Sequence, residues 1–249
     1  MQGQRNLKMQ PKEHQPSALV FDLDDTLYQR RDPYLAAFHA CFGERPEIPE
    51  DALFRKSRLI GNEEYERRIR GEIDMRQMEI ARTARTLALF GITVSDEEAL
   101  TFERTYAAFL EKVRLRPAMI QILDLAKSQG RVLGILTNGP TARQLRKIEA
   151  LGLSRWFSRD HILISQEAGA SKPDPAIFRM METRCGLDPA GTVLVGDGEE
   201  TDILGAKAAG WRAVLFVQPF LPQNPADTAA DLVAVEEAGL LALLQAEKI

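Results

Sequence analysis

Cysteine and histidine are scarce: two and three of 249 residues, respectively. Cys41 and Cys185 stand far apart and show no CxxC spacing, so neither a disulfide framework nor a zinc site is indicated, and a reducing cytoplasm is the expected setting. His14, His39 and His161 are scattered, so no Ser–His–Asp triad can be assembled around them. Long apolar runs are missing as well. Val132–Leu136 and Ala213–Val217 fall far below the roughly 18 residues of a spanning helix, so no membrane segment is expected. Nor is there an excess of positive charge: 32 Lys plus Arg against 36 Asp plus Glu leave −4, which removes the bulk electrostatic reason to expect a nucleic-acid or membrane partner. What is present is a hydrophobic fraction of 45% and a charged fraction of 27%, the balance of a soluble globular chain, at a length that suits one large domain or two modest ones.

The opening MQGQRNLKMQPKEHQPS is polar, lacks the apolar stretch of a secretory signal, and reads as a flexible N-terminal tail over residues 1–17. Five short, β-branched-rich apolar runs follow: Ala18–Asp22, Val132–Thr137, Ile162–Ser165, Val193–Gly196 and Ala213–Val217. They predict buried strands. Helix-like segments lie between them at Thr141–Leu151, Pro175–Cys185 and roughly Asp202–Ala209, with glycines marking several helix ends. Strands alternating with single helices predict an α/β fold, a Rossmann-like parallel sheet covered on both faces.

One connection breaks this rhythm. Residues 23–130 separate the first strand from the second, where a crossover unit needs about thirty residues in all. The helix leading into the second strand is expected to start at Pro117, which leaves an inserted α-helical cap domain over 30–115 and a core of 18–29 plus 116–249. Helices within the insertion are expected near 33–43, 50–60, 63–89 and 96–112.

In an open parallel sheet, ligands bind beyond the carboxyl ends of the strands. Four of the five runs end in polar residues suited to such a site: Asp22, Asp24 and Asp25 in FDLDDTL, Thr137 and Asn138 in ILTN, Lys172 in SKPDP, and Asp197 and Asp202 in GDGEETD. Three or four carboxylates at one edge repel unless a cation joins them, and oxygen ligands without His or Cys suit Mg²⁺.

These four motifs, in this order and after these strands, resemble those of the haloacid dehalogenase superfamily. The large helical insertion after the first motif is similar to the subfamily I members with a helical, C1-type cap, a group holding phosphoglycolate phosphatase-like and nucleotidase-like enzymes. The resemblance implies a Mg²⁺-dependent phosphomonoester hydrolase acting through an aspartyl-phosphate on a small phosphorylated metabolite, as a monomer or homodimer. Asp22 would be the nucleophile and Asp24 the general acid and base, with a pKa raised by its acidic neighbours. Mg²⁺ would be held by Asp22, the Asp24 carbonyl and Asp197. Thr137, Asn138 and Lys172 would bind the phosphoryl oxygens, and Asp202 would orient Lys172 or a metal-bound water.

Several neighbours receive plainer readings. Asp202 could instead cap the helix that follows it, Asp174 reads as an N-cap before Pro175, Asp25 as a turn residue facing away, and Thr26 as a turn residue bonding the backbone. Tyr28 either lines the entrance or packs a hinge. Arg67, Arg68 and Arg70 follow Glu63, Glu64 and Glu66 at i+4, and Arg76 follows Glu72, spacings that predict a self-paired surface from which one arginine could still reach an anionic substrate. Among rival functions, a dehalogenase has no need of the second acid, Asp24, whereas a phosphomutase would keep it. A phospho-acceptor signalling protein would share the Asp–Thr–Lys set but lack the insertion.

Overall fold

The computed structural model describes residues 17–221 and 223–249, so the tail expected over 1–17 lies outside the described residues except for Ser17. Six parallel strands form one sheet in the order β3-β2-β1-β4-β5-β6. They are β1 (Ala18–Phe21), β2 (Val132–Thr137), β3 (Ile162–Ile164), β4 (Thr192–Gly196), β5 (Arg212–Val217) and β6 (Leu232–Val235). Strand alternation sends Leu19 and Phe21 to one face and Val20 to the other, and each face has its own buried cluster. This is why β1 reads as an unbroken apolar run: both its faces are covered. Burying each such Leu or Phe contributes about 1.5–3 kcal/mol.

Helices α1 (Arg31–Phe42), α2 (Glu50–Ile69), α3 (Met75–Ala88) and α4 (Asp96–Leu110) form the insertion after β1. The core is completed by α5 (Pro117–Ser128), α6 (Thr141–Ala150), the single turn α7 (Ser165–Ala168), α8 (Pro175–Cys185), the short α9 (Gly205–Ala208) and α10 (Glu236–Gln245). Gly130 and Gly152 stand just past α5 and α6 at φ of 73° and 64°, the left-handed conformation that ends a helix cheaply at glycine. No helix among the described residues is long and apolar enough to cross a membrane.

The structure redraws two expectations in the insertion and adds an edge strand. The helices expected at 50–60 and 63–89 divide elsewhere: α2 continues through Gly61 to Ile69, and the break falls before Asp74. There the Asp74 side chain accepts from Gln77 N at 2.8 Å while Gln77 Oε1 accepts from Asp74 N at 2.9 Å, a reciprocal cap that starts α3. The unexpected strand is β6, half-buried and paired only with β5.

The insertion has its own apolar centre, built from Tyr34, Phe38, Leu53, Phe54, Leu87 and Phe102. Two residues from the core join it. Phe220 and Leu221, in the connection after β5, are buried among these helices, with the Phe220 ring edge-on to Phe54 at 5.7 Å. The same connection touches the base of the insertion, where Gln29 donates to Gln218 at 2.7 Å.

Candidate active site

The sheet order reverses at β1, the position that places a ligand crevice beyond the strands' carboxyl ends. A cavity of about 800 Å³ opens there, floored by Asp22, Asp24, Thr137, Asn138, Lys172 and Asp197 and roofed by α2. These residues and Asp202 all line one cavity, whereas Asp25 does not.

Two charge clusters divide its floor. In the first, the buried Lys172 ammonium donates to Asp22 at 2.7 Å and to Asp202. The second Asp202 oxygen accepts from Gly198 N at 2.9 Å. Asp202 thus reaches back to the strand end instead of capping the following helix, within a π-helical stretch, Glu199–Leu204. Gly196 makes the approach possible, because a Cβ there would lie 2.5 Å from the Asp202 Cγ. Carboxylate oxygens of Asp22, Asp197 and Asp202 all lie within 4.8 Å of one another, with one ammonium among them. Burial, then the neighbouring Asp202 and Asp24 charges, push the Asp22 carboxyl up to about 6 against the pull of Lys172. Burial and the charges of Asp25, Asp22 and Asp202 likewise raise Asp197 well above the carboxylate range. Two acids that resist ionisation together, joined by oxygen ligands only, fit a hard divalent cation. This acidic set differs from the expected ligands in one respect: it includes Asp202, which was expected to orient Lys172 or a metal-bound water, while Asp24 was expected to offer only its carbonyl.

The second cluster surrounds that side chain. Lys147 Nζ lies 2.7 and 2.8 Å from the two Asp24 oxygens, Tyr28 donates its hydroxyl, Gln144 approaches at 3.3 Å, and Arg30 stands at 4.0 Å. Burial raises the Asp24 pKa, but Lys147 and Arg30 outweigh it and hold the carboxyl well below the usual range. The raised pKa expected for Asp24 is thus reversed; its nearest charged groups are cations from α6 and the β1 loop. Burial in turn lowers the Lys147 pKa despite its acidic partner.

Gln144 and Lys147 were not singled out from sequence. They face inward one turn apart on α6, directly after the second motif, and two buried polar residues at helical spacing were the available signal. Gln144 also donates to Thr137 Oγ1 at 2.7 Å and to the Asn138 carbonyl at 3.0 Å. The Asn138 amide clasps the Lys172 backbone, donating to its carbonyl and accepting from its N–H, both at 2.9 Å.

Further expectations are corrected nearby. Asp25 does not face away: it is fully buried at φ 61°, its carboxylate held by Arg30 at 2.6 Å and within 3.2 Å of Arg58 on α2. Thr26 is buried, and its hydroxyl bonds to nothing among the described residues, so it is not a backbone-bonding turn residue. Tyr28 packs inward and serves Asp24. Asp174 does cap α8, accepting from Ala176 N at 2.8 Å. The i+4 pairs expected on α2 do not form; Arg67 bridges Glu64 and Glu72, Arg70 takes Glu72, and Glu63 and Glu64 turn to Arg85 on α3.

A profile of haloacid dehalogenase-like hydrolases matches residues 16–210. The ribulose-1,5-bisphosphate 5-phosphatase of Halopiger xanaduensis is 31% identical over 224 residues, which span 88% of this chain and 92% of that protein. The phosphoglycolate phosphatase of Pasteurella multocida is 28% identical over 90% of this chain and 96% of its own length. Among solved structures, the HAD-hydrolase YfnB of Bacillus subtilis, bound to magnesium, shares the fold at a TM-score of 0.71 and 22% identity, covering 95% of this chain and 100% of that one. The chain belongs to the haloacid dehalogenase-like hydrolase family, and with these relatives it stands among the family's phosphatases.

Proposed function

We propose that the protein hydrolyses phosphomonoesters of small metabolites, with Mg²⁺ as cofactor and an aspartyl-phosphate on Asp22 as the intermediate. The observation that carries this reading is the convergence of Asp22, Asp197 and Asp202 at the strand ends, with the Lys172 ammonium bonded to Asp22 and Asp202. Asp22 and Asp197, with the Asp24 carbonyl, would hold the cation. When bound, it supplies positive charge against which a carboxylate can approach a phosphate dianion.

Asp22 attacks phosphorus, forming one P–O bond as the ester P–O bond breaks. Lys172, fixed by Asp202, faces the charge that spreads over the phosphoryl oxygens, and Thr137 and the Asn138 N–H complete the cradle. Asp24 gives a proton to the leaving alkoxide, then takes one from the water that cleaves the intermediate and frees inorganic phosphate. With Lys147 on both oxygens, Asp24 is in its base form, ready to take the proton of the second step; to give the proton of the first step it must first be protonated, with Lys147 drawn off its oxygens. The helical insertion acts as the cap, its α2 facing the reacting group across the cavity and restricting water. The names of the relatives support a small phosphorylated substrate.

The test is release of inorganic phosphate from an aryl phosphate, with and without Mg²⁺, for the wild type beside Asp22→Asn. Turnover that needs both the metal and Asp22 is expected; turnover that survives the substitution would refute the assignment.

A further inference from the structure

The three carboxylates at the strand ends are not held alike. Asp22 is bonded to Lys172, and Asp202 to Lys172 and the Gly198 N–H. Among the described residues no hydrogen bond or ion pair reaches the Asp197 carboxylate, so its place in the cavity is set through its own backbone. That backbone runs between two glycines kept small by close approaches: a Cβ at Gly196 would lie 2.5 Å from the Asp202 Cγ, and one at Gly198 2.4 Å from Thr201 Oγ1. Neither neighbour has a side chain with which to steady the peptide.

The restraint comes from the connection after β5. Gln223 Nε2 donates to the Asp197 carbonyl at 2.9 Å and to the Phe216 carbonyl at 2.8 Å, while Gln223 Oε1 accepts from Gln218 N at 2.8 Å. Both amide protons are used, and only this orientation of the amide serves all three groups, since the reverse would set its oxygen against two carbonyls. One side chain thus ties the residue after β4 to the end of β5. The tie is backed on two sides: the buried Gln218 accepts from the buried Gln29 at 2.7 Å, and Phe220 and Leu221, between the two glutamines of the connection, are packed into the apolar centre of the insertion. Amides withdrawn from water are costly unless bonded, and a fully bonded chain of them is rigid. None of these three glutamines takes part in the reaction steps above; what their chain holds at its end is the backbone of one acid.

We propose that Gln223 is a positioning residue for the cation: by fixing the Asp197 carbonyl it sets where the Asp197 carboxylate stands beside Asp22, and so the affinity of the site for Mg²⁺. This rests on the metal-dependent reading above and adds to it a residue from outside the four motifs. Groups that hold a metal-binding carboxylate in place act on metal affinity by about 10- to 100-fold when removed.

The experiment is calorimetric titration of Mg²⁺ alone into the full-length protein, without substrate. Gln223→Met keeps the length of the side chain and its neutral charge but removes every hydrogen bond, and its Kd for Mg²⁺ should be about tenfold weaker or more. Gln223→Asn, too short to serve both carbonyls at once, should fall between that variant and the wild type, and it decides the question if Gln223→Met does not fold. Leu244→Val is the control for stability: it trims a buried side chain of α10 outside the cavity, and it should lower Tm while leaving the Kd for Mg²⁺ unchanged. At saturating Mg²⁺ the Gln223→Met protein should regain the wild-type kcat on an aryl phosphate, with KM for the ester unmoved. Wild-type Mg²⁺ affinity in both Gln223 variants overturns the assignment alone, and so does an equal loss of affinity in Leu244→Val, since affinity would then only follow stability. A kcat that stays tenfold down at saturating Mg²⁺ would put Gln223 in the chemical step and overturn it likewise. A wild type that binds no Mg²⁺ overturns the metal-dependent reading, and this assignment with it.

Discussion

The two sides of the loop after β1 carry opposite charge balances. On the Asp22 side, three carboxylates lie together and one lysine pairs with two of them, Asp22 and Asp202. On the Asp24 side, Lys147 sits on both oxygens of one carboxylate, and Arg30, which also holds Asp25, stands 4.0 Å from it. Two acids separated by one residue therefore titrate in opposite directions, because strand alternation and the following turn send them to different neighbours. The lesson is that a cluster of acids short of cations lies beside a carboxylate already matched by them, so the charge that an added cation would answer is on the Asp22 side.

The largest break in this picture should come from Asp22→Asn, with turnover falling about 10⁴-fold or more in a phosphate-release assay while the fold is retained. A smaller loss would move the nucleophile elsewhere. Chelation with EDTA should likewise stop turnover, and Mg²⁺ should restore it.

On the other side, Lys147→Met strands a largely buried carboxylate and should cost about 3–5 kcal/mol in urea unfolding. Adding Asp24→Asn should recover much of that loss; a double variant no better than the single would mean that the pair is not coupled.

Asp202→Asn leaves Lys172 with a weaker second anchor, and kcat should drop about 10- to 100-fold with little change in KM. An effect confined to KM would argue that Asp202 shapes the pocket and not the lysine.

The smallest effect is a pH dependence. The Asp22 carboxyl rises from 3.8 to about 6 in the folded chain, so its ionisation costs the fold nothing below pH 3.8 and the full penalty above about pH 6. A bound cation relieves that penalty. The rise in Tm on adding Mg²⁺ should therefore be larger at pH 7 than at pH 5 by about a few degrees, and equal shifts would show that Asp22 does not bind the metal.

Much of this was legible in the sequence because it depends on local order. Five strands announced themselves as short apolar runs, and the motif residues follow strand ends whose positions those runs determine. The half-buried β6, LVAV, escaped notice because an edge strand has fewer neighbours to demand apolar residues on both faces. The break at Asp74 carried a visible D-x-x-Q cap signature that the surrounding run of helix formers obscured. What the sequence could not convey was which cation meets which acid. Lys147 lies 123 positions from Asp24, and only the packing of α6 against the β1 loop brings them together. Asp25 was misjudged for a partly different reason: its closer partner Arg30 is only five residues on, and only Arg58 arrives from farther along the chain.

Phe220 and Leu221 belong to the sheet by chain and to the helices by packing. Gln223, just beyond them, donates to the Asp197 carbonyl at 2.9 Å, so the same short connection reaches both the aromatic centre of the insertion and the backbone of an acid in the site. Its consequence is cooperativity. The helices cannot melt away without unseating two large side chains that the sheet supplies, and a fragment spanning only residues 30–115 would expose an unfilled aromatic socket. The protein is therefore expected to lose its helices and its sheet in a single thermal transition, as one folding unit despite its two-part chain topology.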